Sequence, residues 1–261
     1  MVEQDVIILA NENFTGQYHR LVLQADRIAP QAQPGQFVHL RIPLLREALL
    51  RRPFSIYQVK DQTLSVLYKT VGKGTHQLAR LKPGQMMNAI GPLGHGFTVP
   101  ASPQIRPLLV AGGYGMAALY LLAERAPRAG VVFVGGRKQG DILCEAEFRA
   151  LGWEVRAATE DGSYGRRGLV TLPLREELER DASGVRLYAC GPTPMLKAVS
   201  ALAHEFNVEA ELSMDEHMCC GVGVCLTCVI PVRTSEGWEY QRTCTEGPVF
   251  TANSIAWEVM A

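Results

Sequence analysis

The sequence has no long apolar run. Its most hydrophobic stretches, such as Leu108 to Ala111 and Val131 to Val134, fall far short of the roughly 20 residues a helix needs to cross a bilayer, so no membrane span is expected. The opening residues MVEQDVIILANENFTG are acidic and polar where an export signal needs a basic start and a cleavage site, which points to a cytoplasmic protein. An excess of charge is missing as well. Lys plus Arg (26) balance Asp plus Glu (26), so no broad field draws phosphate backbone or anionic lipid, and neither nucleic acid nor membrane is expected as a partner. Repeats and low-complexity tracts are absent, and 47% hydrophobic with 20% charged residues excludes disorder, collagen and coiled coil for the whole chain. What remains is a globular chain of 261 residues, long enough to bury roughly 70–75% of its unfolded surface and to form two compact units plus a small third.

Residues 1–100 carry short alternating runs separated by turn signals, the pattern of antiparallel β-structure. Val38, Leu40 and Ile42 share one face against Phe37, His39 and Arg41; Leu64, Val66 and Tyr68 alternate with Ser65, Leu67 and Lys69. Each run predicts a half-buried strand, Pro34-Gly35 and Pro83-Gly84 mark tight turns, and a small barrel fits. Over residues 101–209 the period changes. Apolar strands at 108–112, 131–136, 154–159 and 186–191 alternate with helical segments at 115–126, 145–151, 171–180 and 194–206, which predicts a doubly wound α/β unit with a parallel sheet. Residues 210–261 form a cysteine-rich C-terminal segment.

Seven cysteines are present, and five lie between residues 219 and 244. An odd, clustered set is not a disulfide framework; it points to a metal site. Cys220, Cys225, Cys228 and Cys244 are spaced C-x4-C-x2-C-x15-C, and the first three match the spacing that holds a plant-type 2Fe-2S cluster. Gly221 and Gly223 let the loop curl so that backbone N–H groups face the sulfurs. The alternatives are a zinc knot or buried free thiols. Zinc sites favour two C-x2-C pairs and only one is present, while buried thiols would not come clustered with glycines between them. Cys219 is expected to point away from its neighbour Cys220 and to pack beside the site.

Two glycine turns suggest a dinucleotide. Gly112, Gly113 and Gly115 follow the first α/β strand and open a helix, where backbone can approach a pyrophosphate at the helix N-terminus. Cys190, Gly191 and Pro192 form a second turn on the same sheet edge, so the two define a crevice. The first turn departs from G-x-G-x-x-G, and each turn also reads as a plain connection. Asp161-Gly162-Ser163 follows the third strand and is either a loop over that crevice or an ordinary link.

RPFSIY, LYKTVGKGT, GPLGHGF, VAGGYGMAAL, YACGPTPML, CGVGVCLTC and TCTEGPVF occur in this order along the chain. The series resembles the ferredoxin reductase-like flavoproteins over nearly the whole length. With a cluster at the C-terminal end, it is most similar to the electron-transfer subunits of NAD-dependent dihydroorotate dehydrogenases. The resemblance implies an FAD on the barrel, with Arg52 pairing the pyrophosphate and Pro53, Phe54 and Ser55 beside the isoalloxazine, Ser55 near N5. It implies further that Leu67, Tyr68 and Lys69 line the FAD, that Gly74 and Thr75 start a phosphate-binding helix, and that Cys190 lies where nicotinamide docks, which makes Cys190 and Ser55 the candidate catalytic residues. Phe54 also reads as core, and Lys69 and Lys73 as solvated charges. Tyr114 and Ala118 stand where many relatives have glycine and proline.

The implied function is electron transfer. A cluster carries single electrons, NAD accepts a hydride, and a flavin exchanges both. The chain has no evident site for dihydroorotate, so an FMN-containing catalytic subunit is the expected partner, in a heterotetramer serving pyrimidine biosynthesis. Rival readings are the small subunit of an NAD(P)H-ferredoxin oxidoreductase, sulfide dehydrogenase or hydrogenase complex, and a redox-sensing iron-sulfur interaction module. Arg137 and Lys138 follow the second α/β strand, either solvated or placed to accept a 2′-phosphate, so NADH rather than NADPH rests on the resemblance.

Overall fold

A computed structural model describes residues 1–43 and 50–260. Strands β1 (Val2–Thr15), β2 (Tyr18–Gln24), β3 (Phe37–Arg41), β4 (Arg52–Lys60), β5 (Thr63–Lys69) and β6 (Met86–Leu93) close into an antiparallel barrel in the order β1-β2-β5-β4-β3-β6. Closure runs from Val2 opposite Gly91 to Ile7 opposite Met86. A short helix α1 (Lys73–Leu78) joins β5 to β6. Val38, Leu40, Leu64, Val66 and Tyr68 fill the barrel interior together, as their alternation requires.

The expectation of half-buried strands fails for β3 and β5. Phe37 and His39, on the outer face of β3, are buried, as is Leu67 on β5. Period two is kept, but the other two units cover the outer faces. Leu67 packs into the core of the α/β unit, and Phe37 packs against Cys228 and Cys244.

The α/β unit contains β7 (Arg106–Gly112), β8 (Val131–Gly136), β9 (Glu154–Thr159), β10 (Arg166–Arg167), β11 (Val185–Cys190) and β12 (Glu209–Ser213). Helices α2 (Met116–Arg125), α3 (Glu145–Ala150), α4 (Thr171–Arg180) and α5 (Thr193–Glu205) alternate with them. After β12 the chain leaves the sheet, forms the cysteine loop and a hairpin of β13 (Val229–Thr234) and β14 (Gly237–Arg242), and returns as β15 (Val249–Thr251). Sheet order is β10-β9-β8-β7-β11-β12-β15, parallel except for the β12–β15 pair. Residue 209 therefore opens the sixth parallel strand, and sheet and cysteine segment interleave beyond it.

Each face of the sheet carries its own core, α2 and α3 on one side and α4 and α5 on the other, the doubly wound arrangement. Helix α2 is buried nearly all round because the barrel covers its outer side: Tyr120 stacks on Tyr57 of β4 with centroids 4.4 Å apart, and Gln58 donates to Glu124 at 2.6 Å. The cysteine segment is pinned to the barrel through His95 N–H to the Gly247 carbonyl (2.6 Å) and to its own sheet edge through Met214 N–H to the Pro248 carbonyl (2.8 Å). Among the described residues no helix is long and apolar enough to cross a membrane.

Candidate functional site

A cavity of about 730 Å³ opens where the three units meet. Arg52, Pro53, Phe54 and Ser55 reach it from β4, Leu67, Tyr68 and Lys69 from the end of β5, and Thr75 from α1. Tyr114, Ala117 and Cys190 face them from the carboxyl edge of the parallel sheet, where ligands of open α/β sheets bind. Nine of the residues singled out from the sequence thus share one wall-to-wall space, and Gly74 precedes Thr75 in the first turn of α1.

Two adjacent arginines have different duties. Arg51 is tied to Glu3 at 2.8 Å and to the side chain and carbonyl of Asn88, while Arg52 folds over the Leu50 carbonyl (2.9 Å) and lines the cavity. Phe54 belongs to the barrel core and also edges the cavity, meeting Tyr68 edge-on at 6.0 Å. Lys69 is not a solvated charge. Its Nζ lies 3.6 Å from Asp141 and over the Tyr18 ring, and Tyr18 donates to Asp141 at 3.1 Å, so the trio ties barrel to α/β unit at the cavity. The Thr75 hydroxyl accepts the N–H groups of Val71 (2.9 Å) and Gly72 (3.2 Å), which fixes the entry to α1.

The two glycine turns pack on each other. A Cβ at Gly115 would lie 2.3 Å from the Cys190 carbonyl oxygen, one at Gly112 would meet Pro192, and one at Gly191 would meet Met195 and Gly112. Gly113 differs: its φ is +55° and a Cβ there would meet nothing within 4 Å, so this is the glycine that faces open space at the sheet edge. Burial pushes the Cys190 thiol up to about 12, which keeps it neutral and no nucleophile. Tyr114 stands half exposed in the cavity beside Asp215, whose carboxyl is pushed up by lost hydration, and Ala118 is buried in α2.

Beside the cavity's Cys219 and Thr227 come the thiols of Cys220, Cys225, Cys228 and Cys244, which interact with one another. The N–H groups of Val222 and Val224 point at Cys220 Sγ from 3.5 and 3.3 Å, the donor-lined curl expected of a thiolate-holding loop. Gly221 (φ +70°) makes the close approach possible, since a Cβ there would lie 2.5 Å from His39 Nδ1. Arg242 clamps the loop, donating to the Gly223 carbonyl at 3.0 Å while Glu246 holds its guanidinium at 2.6 and 2.8 Å; this pairing pulls the Glu246 carboxyl down to about 2. Cys228 and Cys244 are buried and adjacent, whereas Cys225 is exposed and its thiol is pulled down to about 6 by hydrogen bonds from Thr227 and from Cys220. Among the described residues no three His, Cys, Asp or Glu side chains converge as a single-ion site requires. The sulfurs form instead a chain of contacts, Cys225 with Cys220 and Cys219, and Cys244 with Cys228 and Cys220, and the four spaced thiols are a donor set that fits a four-thiolate, two-iron cluster.

The model for the iron-sulfur cluster binding domain of dihydroorotate dehydrogenase B matches residues 215–256, and that for the oxidoreductase NAD-binding domain matches residues 109–201. The chain is 37% identical over 259 residues to the dihydroorotate dehydrogenase B (NAD(+)) electron transfer subunit of Desulforamulus reducens, covering 97% of this chain and 98% of that one. The same subunit of Geobacillus kaustophilus is 41% identical over 245 residues (91% and 92%). The chain belongs to the dihydroorotate dehydrogenase B electron-transfer subunit family. Among solved structures, the NADH-dependent reduced ferredoxin-NADP oxidoreductase described for flavin-based electron bifurcation superimposes with a TM-score of 0.84 at 27% identity, covering 98% of this chain and 91% of that one. A ferredoxin reductase of carbazole 1,9a-dioxygenase shares the fold alone (TM-score 0.65, 20% identity, covering 79% and 65%).

In this member of the dihydroorotate dehydrogenase B family, the stretch Ser213 to Cys219 lines the cavity and was not foreseen as part of it. Its signal was present: a strand ending on the carboxyl edge of the sheet, followed at once by Asp215, Glu216, His217 and the first cysteines. Cys219 does not turn away from the loop as expected: its thiol lies within hydrogen-bonding reach of Cys225. It also lines the cavity, as does Thr227. Each is the immediate chain neighbour of a clustered cysteine, Cys220 and Cys228.

Proposed function

We propose that this chain is the electron-transfer subunit of an NAD-dependent dihydroorotate dehydrogenase. It works with an FMN-containing catalytic subunit, in a cytoplasmic heterotetramer that serves pyrimidine biosynthesis. The observation that carries the reading is that one cavity is lined at once by the β4 and β5 residues, by the Cys190 turn, and by Cys219 and Thr227, next to two of the clustered thiols. In this reading residues 1–100 serve FAD, 101–209 the dinucleotide and 210–261 the cluster. Bound there, the FAD supplies the exchange between single electrons from the cluster and the hydride that NAD+ accepts.

The chain's own residues position and exclude. Cys220, Cys225, Cys228 and Cys244 would hold the cluster's two irons through four thiolates. Arg52 offers its guanidinium to the pyrophosphate and Thr75 with Gly74 the turn beside it; Pro53, Phe54, Leu67, Tyr68 and Lys69 wall the flavin from water. Gly113 gives the dinucleotide backbone room to approach, and Gly112, Gly115, Gly191 and Pro192 lock the two turns into one floor. Ser55 and Cys190 border the reacting edge from opposite walls. Hydride transfer between stacked rings needs no acid or base, and a Cys190 held as the neutral thiol suits that.

Anaerobic purification tests the reading. Two irons, two acid-labile sulfides and one FAD per chain are expected, with both chromophores bleached by NADH; zinc in place of iron, or a flavin that bleaches without a cluster, would refute it. A second reading, the small subunit of an NAD(P)H-linked ferredoxin oxidoreductase, is favoured by the whole-chain likeness to the ferredoxin-NADP oxidoreductase; the partner that copurifies decides between them.

The surface assigned to the partner's approach is an exposed apolar one beside Cys225. Val224 and Leu226 are 80% and 62% exposed on either side of Cys225. Leu226→Asp is expected to weaken association with the catalytic subunit about tenfold or more, on the order of 1.4 kcal/mol, with NADH reduction of an artificial acceptor unchanged. Leu226 has φ +55°, a conformation that Asp tolerates better than Leu, so the fold is not at risk. Sedimentation of the mixed subunits measures it, and undiminished association would place the interface elsewhere.

A further inference from the structure

His39 is 0% exposed, and among the described residues neither ring nitrogen has a hydrogen-bond partner of full geometry; the Cys220 backbone is the polar group that faces the ring, with the Arg51 and Arg52 charges acting on it through space. A buried polar group left without a partner costs about 1–3 kcal/mol and calls for an explanation such as a bound group. Within the barrel there is none. Its cross-strand neighbours are Pro53 on β4 and Ile90 on β6, which offer no polar side chain. On its outer side the ring lies against the Cys220–Gly221 turn, where a Cβ at Gly221 would fall 2.5 Å from Nδ1 and 2.9 Å from Cε1. Two residues earlier on the same face, Phe37 lines the cavity, packs with Cys228 and Cys244, and meets the imidazole edge-on at 6.4 Å. The outer face of β3 is thus the partition between the cavity and the four thiols, and His39 is its polar member.

We propose that His39 is a positioning residue of the iron-sulfur site, whose buried imidazole seats the Cys220–Gly221 turn and presents a ring N–H to the sulfur of the bound cluster, raising its reduction potential. The inference rests on the cluster reading above. A neutral imidazole carries one N–H, enough to supply that donor. A donor aimed at cluster sulfur stabilises the extra negative charge of the reduced form, which is why hydrogen bonds to sulfur set potential in such clusters. The assignment also explains why the loop has glycine at 221: the imidazole fills the space a side chain would take.

The test uses the assembled complex, made with 15N-histidine and reduced with dithionite, which bypasses flavin and NADH. Pulsed EPR is expected to detect a histidine nitrogen coupled to the reduced cluster. The coupling should persist in His217→Gln, which removes the histidine nearest in sequence to Cys220, and disappear in His39→Leu. Potentiometric titration of His39→Leu, with iron and sulfide content retained, should shift the oxidised-to-reduced ratio at fixed potential at least about tenfold toward oxidised, or 59 mV for a one-electron couple. His39→Asn, whose amide keeps an N–H near the Nδ1 position, should recover part of that shift. A cluster signal without histidine coupling, or a potential unmoved in His39→Leu, overturns the proposal and leaves the cluster standing. No cluster signal in the wild type overturns the cluster reading itself. If His39→Leu fails to accumulate, the wild type and His217→Gln decide alone: coupling in both supports the proposal, and its absence from the wild type refutes it.

Discussion

Cys228→Ser is expected to give a yellow protein that NADH still reduces but that no longer passes electrons from dihydroorotate. Cys228 is 2% exposed, in a small core with Phe37, Leu93 and Cys244, so serine costs little packing volume while removing one thiolate from the pair it forms with Cys244. A cluster that needs four thiolates then has three. NAD+ reduction by dihydroorotate in the reconstituted complex should fall on the order of 100-fold or more, beyond the 10- to 100-fold typical when only a group supporting a ligand is lost. NADH oxidation by an artificial acceptor should stay within about twofold, because Arg52, Ser55 and Cys190 lie on the other walls of the cavity. Iron analysis separates the explanations. Cys219→Ser serves as the control, since Cys219 lines the cavity and is assigned no iron, so it should keep two irons per chain. If Cys228→Ser kept both irons and Cys219→Ser lost them, the ligand set would have to be redrawn around Cys219.

How far the sequence carried depended on whether a signal was local. Strands at 131–136 and 154–159 and the helix at 171–180 lie at the residues expected of them, because apolar runs bounded by glycine or polar turns specify their own ends. The cysteine loop was legible for the same reason: ligand spacing and glycines lie within nine residues from Cys220 to Cys228. Contacts between units were not. Nothing local to Glu209–Ser213 and Val249–Thr251 says that they pair with each other at a sheet edge, since the 35 residues between them, 214 to 248, hide the partnership. His39 read as the outer face of a half-buried strand because period two gives the face a side chain takes and not what covers it. Arg51 and Arg52 are indistinguishable by composition; only the hydrogen bonds of the Arg51 side chain to Asn88 commit Arg51 to structure and leave Arg52 for the cavity. Sequence alternation thus located β3 and β5, and only the packing of the other two units shows what covers their outer faces.

Replacing Glu177 by leucine is expected to destabilise the α/β unit by about 3–5 kcal/mol, the range for breaking a buried ion pair on one side. The Glu177 side chain, on α4, is fully buried and binds three guanidiniums: Arg106 from β7, Arg156 from β9 at 2.7 Å, and Arg180 one turn along the helix. One carboxylate therefore ties a covering helix to two strands of the sheet. Burial alone would push its pKa up, but hydrogen bonds from Arg180, Arg106 and Arg156 outweigh it and the carboxyl is held below its ordinary 4.5. The sign follows from that. A carboxyl whose folded value lies below its unfolded one contributes stability above pH 4.5, and the contribution drains away as pH falls through the folded value. Leucine leaves three arginines converging with only Glu154, 2.7 Å from Arg156, as a remaining counter-charge, so the melting temperature at pH 7 should drop by roughly 6–20 °C. Glu177→Gln keeps the shape and an acceptor, and should lose less. Melting curves of wild type and Glu177→Gln from pH 7 to 3 check the electrostatic origin: their separation should be constant down to about pH 5 and shrink below 4.5. A separation that ignored pH would mean that packing by the helix, and not the carboxylate, holds α4 to the sheet. Because Glu177 is not among the residues that line the cavity, NADH reduction of the flavin at 20 °C should survive the substitution, which distinguishes a structural anchor from a participant in electron transfer.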